Sequence, residues 1–273
     1  MANTPLIKLE DIYLKREDLN ETGSAKDRAI IFQIENLKKQ GFTTAVISST
    51  GNAAISAAHF CKLNKINLTI FVSPKINKNK FNLLKQSCNQ IFITDQPISE
   101  SIKFSKKNHS YLLRQSTDPA ALAGYQEIGK ELITELPKIT SIFVPVGSGT
   151  TLLGISQSLK PPIKIYAVQP ASNCPLVKFF NSNYQPETEN ITDALSAKYL
   201  PLKSQLISTI KNSNGTGLII QNDEILEAQK KLELNNIKTS LEGALAFAGI
   251  KKALKNKLEI GSYPVVVLTG CQR

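Results

Sequence analysis

The sequence predicts an α/β protein built on open, mostly parallel sheets, long enough for one large domain or two small ones. Three observations point there. Short apolar, β-branched runs alternate with longer helix-like segments, the pattern of βαβ units. Several runs, such as Val265-Val-Val-Leu, are apolar at every position, as strands buried on both faces are. The turns richest in Gly, Ser and Asn each fall between a strand end and a helix start, where parallel sheets bind ligands.

The elements follow in order. A strand near Tyr13 runs into a Thr-Gly-Ser turn, and a helix opens at Lys26. Residues 44–48 read as a strand because Ala-Val-Ile is apolar and β-branched, and residues 52–63 as an alanine-rich helix. By the same reasoning residues 66–72, 90–94 and 111–114 are strands, and residues 78–87, 98–107 and 120–135 are helices. Residues 141–146 form a strand that ends in a glycine-rich turn, and a helix follows to residue 159. Residues 163–168, 217–221 and 264–269 are strands. Asp223 stands where it would cap a helix over residues 224–234, and a last helix covers residues 241–255. Residues 181–199, rich in Asn, Thr and Glu, read as an irregular surface excursion near the mouth of the site.

Composition narrows the function. With 273 residues, 41% hydrophobic and 20% charged, the chain resembles an ordinary globular protein. No apolar window is long enough to cross a membrane, and the first ten residues lack the basic-then-apolar pattern of a signal peptide, so a cytoplasmic protein with no membrane partner is expected. Cys61, Cys88, Cys174 and Cys271 fit no zinc spacing and read as free thiols. His59 and His109 are the only histidines, too few for a His-based metal site or a Ser-His-Asp triad, and no metal is expected. His59 reads as a packed or surface side chain. The net charge of +11 raises nucleic-acid binding. The lysines are scattered, however, and the densest stretch, residues 75–85, has only Phe81 as an interleaved aromatic. No nucleic acid is expected; the charge suits anionic cofactors and substrates instead.

Four motifs carry chemistry. The first is Tyr13-Leu-Lys-Arg-Glu-Asp-Leu-Asn-Glu-Thr-Gly-Ser-Ala-Lys26-Asp-Arg28. A helix start carries partial positive charge, which disfavours an ammonium there and leaves a better nucleophile for an aldehyde. A surface lysine at a helix start is the plain alternative. The second is Ser48-Ser49-Thr50-Gly51-Asn52, whose backbone amides form an anion nest, or merely a capped helix start. The third is Val146-Gly147-Ser148-Gly149-Thr150-Thr151, where glycines admit an anion close to the backbone and a helix start supplies donors. It is not a dinucleotide fingerprint, because a third glycine is missing at the required place. The fourth is the strand end Leu268-Thr269-Gly270.

In this order the motifs resemble those of the pyridoxal-phosphate (PLP) enzymes of the tryptophan synthase β-like fold, fold type II. The first is similar to the "Lys-x-Glu-x-x-Asn-x-Thr-Gly-Ser-x-Lys-Asp-Arg" string of threonine synthase, serine/threonine dehydratase and cysteine synthase. Asn3-Thr4-Pro5-Leu6, Gly124-Tyr-Gln126-Glu127-Ile and Tyr166-Ala-Val-Gln169-Pro170 add lesser matches. The resemblance implies that Lys26 holds pyridoxal 5'-phosphate as a Schiff base and moves protons at the substrate. It implies that Ser49, Thr50, Gly51 and Asn52 bind the substrate carboxylate, with Asn52 also on the cofactor's 3'-oxygen. Gly147, Ser148, Gly149, Thr150 and Thr151 take the cofactor phosphate, and Thr269 faces the pyridine nitrogen. A neutral hydroxyl there makes the ring a weaker electron sink, which favours β-elimination and replacement.

It further implies a smaller mobile domain over residues 17–131, with the lysine and the carboxylate loop, and a larger one of residues 1–16 and 132–273, with the phosphate loop. A homodimer acting on a small amino acid with an anionic leaving group is expected. Threonine synthase chemistry, O-phosphohomoserine to threonine, is the first choice, from the opening stretch and Ser-Thr-Gly-Asn. The Gly-x-Gly-Thr-Thr loop leans toward cysteine synthase, and the dehydratase is a third choice. Thr239-Ser240-Leu-Glu-Gly-Ala244 departs from the "Glu-Pro-x-x-Ala" of many dehydratases and threonine synthases, with Ser240 in place of a glutamate. Cys271 beside the ring reads as a buried, inert thiol. A degenerate binding protein on the same fold is the non-enzyme alternative.

Overall fold

The computed structural model describes residues 3–49, 51–76, 78–87, 90–160, 162–192, 194–197 and 199–273. The chain forms two compact units. One joins Met1–Ala25 to Tyr125–Arg273, and the other is Lys26–Gly124.

The first unit begins with an antiparallel hairpin of β1 (Leu6–Leu9) and β2 (Ile12–Lys15). Lys15 is fully buried, and its ammonium is neutralised by Glu131 at 2.7 Å and Glu135 at 3.2 Å. Removing one partner of such a pair strands the other charge in a poor solvent for it.

The second unit opens with α1 (Lys26–Lys39). It continues through β3 (Thr44–Ser48), α2 (Asn52–Leu63), β4 (Asn67–Val72), α3 (Lys78–Ser87), β5 (Gln90–Ile93), α4 (Pro97–Lys107) and β6 (Tyr111–Leu112). Its four strands are parallel, in the order β5-β4-β3-β6. Ile30, Ile34 and Leu37 recur at helical spacing on α1, so one face is apolar. That face buries against Ala54, Ala57 and Ala58 of α2 and Ile47 and Ile70 of the sheet. Each buried Ile or Leu contributes about 1.5–3 kcal/mol. The alanines let the two helices approach closely. Two helix-opening residues, Lys26 and Asn52, are thereby fixed by one core.

α5 (Pro119–Glu135) leads back to the first unit. There the chain runs β7 (Ser141–Pro145), α6 (Thr150–Ser158), β8 (Lys164–Pro170), α7 (Lys203–Asn212), β9 (Thr216–Ile220), α8 (Asn222–Leu234), α9 (Leu241–Lys255) and β10 (Pro264–Val267). The six-stranded sheet has the order β1-β2-β10-β7-β8-β9 and is parallel apart from β1. β7 and β10 are buried at every residue; both are apolar apart from Ser141, whose hydroxyl donates to the Ile260 carbonyl at 2.7 Å. The last strand lies inside the sheet, with Val265 opposite both Tyr13 and Ile142. Phe143 and Tyr166 stack at 4.5 Å beneath Leu245, Phe247 and Ile250 of α9.

Three details differ from expectation. α7 was not anticipated, because it is short and starts just after a proline; its buried Leu206 and Ile210 are the only periodic signal. Asp223 is not the cap of α8. The helix starts at Asn222, whose N–H donates to the Glu187 carboxylate at 3.0 Å, while the Gln221 N–H donates to Glu224 at 2.9 Å. Gln221 and Glu224 form a capping box at this helix start, a carboxylate from a distant loop adds to it, and Asp223 accepts from the Glu224 N–H at 2.8 Å. The strand expected at residues 111–114 spans only Tyr111–Leu112. The described part of residues 181–199 has no helix or strand, as expected.

Candidate active site

In the first unit, three segments meet at the carboxyl end of β10. The Ala25 N–H donates to the Thr269 carbonyl at 3.0 Å, Ser24 and Gly270 form an antiparallel bridge, and the Cys271 N–H donates to the Gly23 carbonyl at 2.8 Å. Thr239 Oγ1 and the Ser240 N–H both donate to the Gly270 carbonyl, at 2.9 and 2.7 Å. The Thr22-Gly-Ser-Ala turn is therefore sewn to the last strand, and Lys26 is the next residue along the chain. Gly23 has φ +76°, and a Cβ there would lie 2.5 Å from Cys271 Sγ, so the turn requires glycine. Cys271 is half-buried against that glycine rather than enclosed in the interior.

The glycine-rich turn leaves β7 in the same unit. Gly149 has φ +88° and ends against Leu206 of α7. Thr150 and Thr151 are buried, and the hydroxyls of Ser148 and Thr150 lie 3.0 Å apart. Among the described residues no N-cap side chain bonds the start of α6, and the uncapped first-turn amides of a helix are the donors an anion site uses. The turn is held from behind by Gln169. That buried amide donates to the Val146 carbonyl at 2.9 Å and accepts the N–H groups of Leu176 and Val177 at 2.9 and 3.1 Å.

In the second unit, Lys26 opens α1 and is half-buried. Ser49, Gly51 and Asn52 form the turn from β3 into α2, with the Gly51 N–H donating to Ser49 Oγ at 3.2 Å. Among the described residues no N-cap side chain bonds the start of α2 either. Thr50 lies outside the described residues. Behind these helices Asp118 accepts from Gln33 and from Tyr111, each at 2.7 Å, and Asn36 donates to Tyr111 at 2.8 Å. Burial, with the Asp118 hydrogen bond, pushes the Tyr111 hydroxyl up to about 12.

These residues suit an anionic, aromatic aldehyde cofactor. The α6 start offers uncapped donors for a phosphate. Thr269 is half-buried, and no described residue hydrogen-bonds its hydroxyl. Ser24 Oγ is buried without a hydrogen-bond partner among the described residues. Among those residues no group of His, Cys, Asp and Glu could hold a metal ion, and none of Cys61, Cys174 and Cys271 forms a disulfide. Among the described residues no helix is long and apolar enough to cross a membrane.

Parallel α/β units of this topology define the class: the chain has the fold of the type II PLP enzymes. The comparison with protein families then assigns it. Residues 1–270 match the family described as "Pyridoxal-phosphate dependent enzyme", and the chain belongs to that family, with pyridoxal phosphate as its cofactor. It is 27% identical to an L-threonine ammonia-lyase of Thermotoga maritima, over 95% of this chain and 67% of that protein. It is 27% identical to a threonine synthase of Methanosarcina acetivorans, over 90% and 66%. It is 26% identical to a cysteine synthase of Staphylococcus aureus, over 98% and 90%. The chain thus spans about two thirds of the length of the first two relatives. Maize serine racemase superposes with a TM-score of 0.88 at 20% identity, over 100% of this chain and 89% of that one. Threonine deaminase isoform 2 from Solanum lycopersicum gives 0.87 at 19%, over 100% and 80%. The structural likenesses show the fold.

Sequence reasoning singled out the turns but not their supports. Gln169 belongs to a matched motif just past the strand expected at residues 163–168, yet nothing in one sequence tells a strand-end glutamine that bridges two loops from one facing water. Ser24 lay inside the lysine motif, and its burial became evident only with the bridge to Gly270.

Proposed function

We propose that the protein is a PLP-dependent lyase acting on a small amino acid, and that its reaction is that of threonine synthase: O-phosphohomoserine and water give threonine and phosphate. The observation that carries the lyase reading is the hydrogen bond between Ala25 and Thr269. It couples the chain directly preceding Lys26 to the strand end whose hydroxyl suits the cofactor's ring nitrogen. Bound pyridoxal phosphate supplies an electron sink for negative charge at the substrate's α-carbon.

The residues of this chain do the rest. The Lys26 amine would hold the cofactor's aldehyde and, with substrate bound, would take the substrate's α-proton and then a β-proton so that phosphate leaves the γ-carbon; protons would return to the γ- and α-carbons as water adds at the β-carbon. The Ser49, Thr50, Gly51 and Asn52 turn holds the substrate carboxylate through backbone amides. Gly147, Ser148, Gly149, Thr150 and Thr151 hold the cofactor phosphate at the start of α6. Thr269 would offer the cofactor's ring nitrogen a neutral hydroxyl rather than a carboxylate, a partner that suits elimination and replacement.

An anionic leaving group is supported by charge placement. The Lys26–Gly124 unit carries fourteen lysines and arginines against five acidic residues, a net +9 of the chain's +11. A phosphate ester is drawn to such a surface. A second reading is cysteine synthase-like replacement on O-acetylserine or O-phosphoserine, which the Gly147-Ser-Gly-Thr-Thr loop favours. A cytoplasmic homodimer completes the proposal. The deciding experiment offers the holoenzyme O-phosphohomoserine, O-acetylserine, O-phosphoserine, serine and threonine, and follows the visible spectrum and phosphate release. Phosphate and threonine from O-phosphohomoserine support the first reading. Spectral change with the serine derivatives alone overturns it.

A further inference from the structure

The Thr239–Ala244 segment, where Ser240 departs from the family pattern, holds a carboxylate that the proposed reaction does not use. Ser240 caps α9, its Oγ accepting from the Gly243 N–H at 3.4 Å. Two residues on, in the first turn of the helix, Glu242 is only 6% exposed. An acidic side chain so placed is favoured by the helix dipole, but burial demands a specific donor. The donor is the Ala194 N–H, at 3.1 Å from Glu242 Oε1. Residues 194–195 in turn lie against Gly147: a Cβ on Gly147 would sit 3.2 Å from Leu195 Cδ2 and 3.5 Å from the Ala194 carbonyl. Asn173 holds the same strip of backbone from its other side, donating to the carbonyls of Leu195 at 2.7 Å and Ala197 at 3.3 Å.

The first turn of α9 therefore reaches both halves of the first unit's cradle. Through Thr239 and Ser240 it fixes the Gly270 carbonyl, and through Glu242 it fixes the wall of the glycine-rich turn. We infer that Glu242 is a positioning residue for the cofactor phosphate: with Asn173 it clamps residues 194–195 onto Gly147 and so fixes the amides of residues 147–151. This rests on the reading that residues 147–151 take the phosphate. The residue needs only an acceptor oxygen at this place, since its partner is a backbone N–H. A glutamine can replace it and an alanine cannot.

The test compares two ligands for the apoprotein, pyridoxal phosphate and pyridoxal, which lacks the phosphate, by titration of visible absorbance. Wild type is expected to bind pyridoxal phosphate far more tightly than pyridoxal. E242A is expected to reduce that preference about tenfold, with pyridoxal binding unchanged, because a lost buried hydrogen bond is worth about one order of magnitude. N173A is expected to do the same, and E242Q to restore the preference to within about twofold. A wild-type preference retained by both E242A and N173A overturns the inference and leaves the phosphate reading standing. Equal weakening of both ligands in these variants also overturns it, since that is general damage to the fold. A wild type that binds both ligands alike overturns the phosphate reading itself.

Discussion

The Ala25 N–H donates to the Thr269 carbonyl at 3.0 Å, and with the Ser24–Gly270 bridge this makes the lysine-bearing turn an extension of the last strand. The turn closes on Gly23, whose positive φ and contact with Cys271 leave no room for a side chain. Gly23→Ala is expected to destabilise the protein by about 1–3 kcal/mol and to lower cofactor occupancy. Urea unfolding and the absorbance of the purified protein measure the two effects. Adding Cys271→Ala should recover the steric part and leave the backbone strain. Wild-type stability in Gly23→Ala would mean that the turn adopts another conformation.

Gln169 satisfies three backbone groups around the glycine-rich turn with one amide. Gln169→Leu leaves them buried and unpaired, and a loss of about 3 kcal/mol is expected. Gln169→Glu keeps the acceptor for Leu176 and Val177 but loses the donor to Val146, so it should fall between. Chemical denaturation of the three proteins gives the order, and an unaffected Gln169→Leu contradicts the assigned role.

The Tyr111–Asp118 pair gives an alkaline signature. Burial and Asp118 raise Tyr111 to about 12, above the roughly 10 of an unfolded tyrosine. The folded state thus holds this proton more tightly. The stabilisation is complete below pH ~10 and is lost as the pH rises toward 12. Tyr111→Phe should flatten the stability profile across that window. A profile for the phenylalanine variant as steep as that of wild type excludes Tyr111 as its source.

Much of this was legible from sequence, for physical reasons. β10 is apolar at every residue and β7 at every residue but Ser141, and such runs announce strands buried on both faces. The Lys26, Asn52 and Gly147 turns could be placed because each joins a strong strand signal to a strong helix signal. What stayed hidden depends on contacts distant in sequence. Glu187 accepts from the Asn222 N–H at the start of α8 because a loop returns to it. Glu242 gained meaning only when residue 194 was found beside it.

Thr269 offers a neutral hydroxyl at the strand end. Thr269→Ala should leave the fold and cofactor binding nearly intact, because the half-buried hydroxyl has no described partner to strand. Turnover should fall about tenfold or more if the hydroxyl fixes the ring nitrogen. Steady-state kinetics with the substrate found in the screen, beside a melting curve, separates the two effects. Unchanged kcat removes Thr269 from the site.

The most direct measurement is where the cofactor is attached. The purified protein is reduced with borohydride, digested, and mapped by mass spectrometry. The account predicts one phosphopyridoxyl group, on the peptide containing Lys26, and none in Lys26→Ala. A label on a different lysine, or no label after incubation with pyridoxal phosphate, contradicts it.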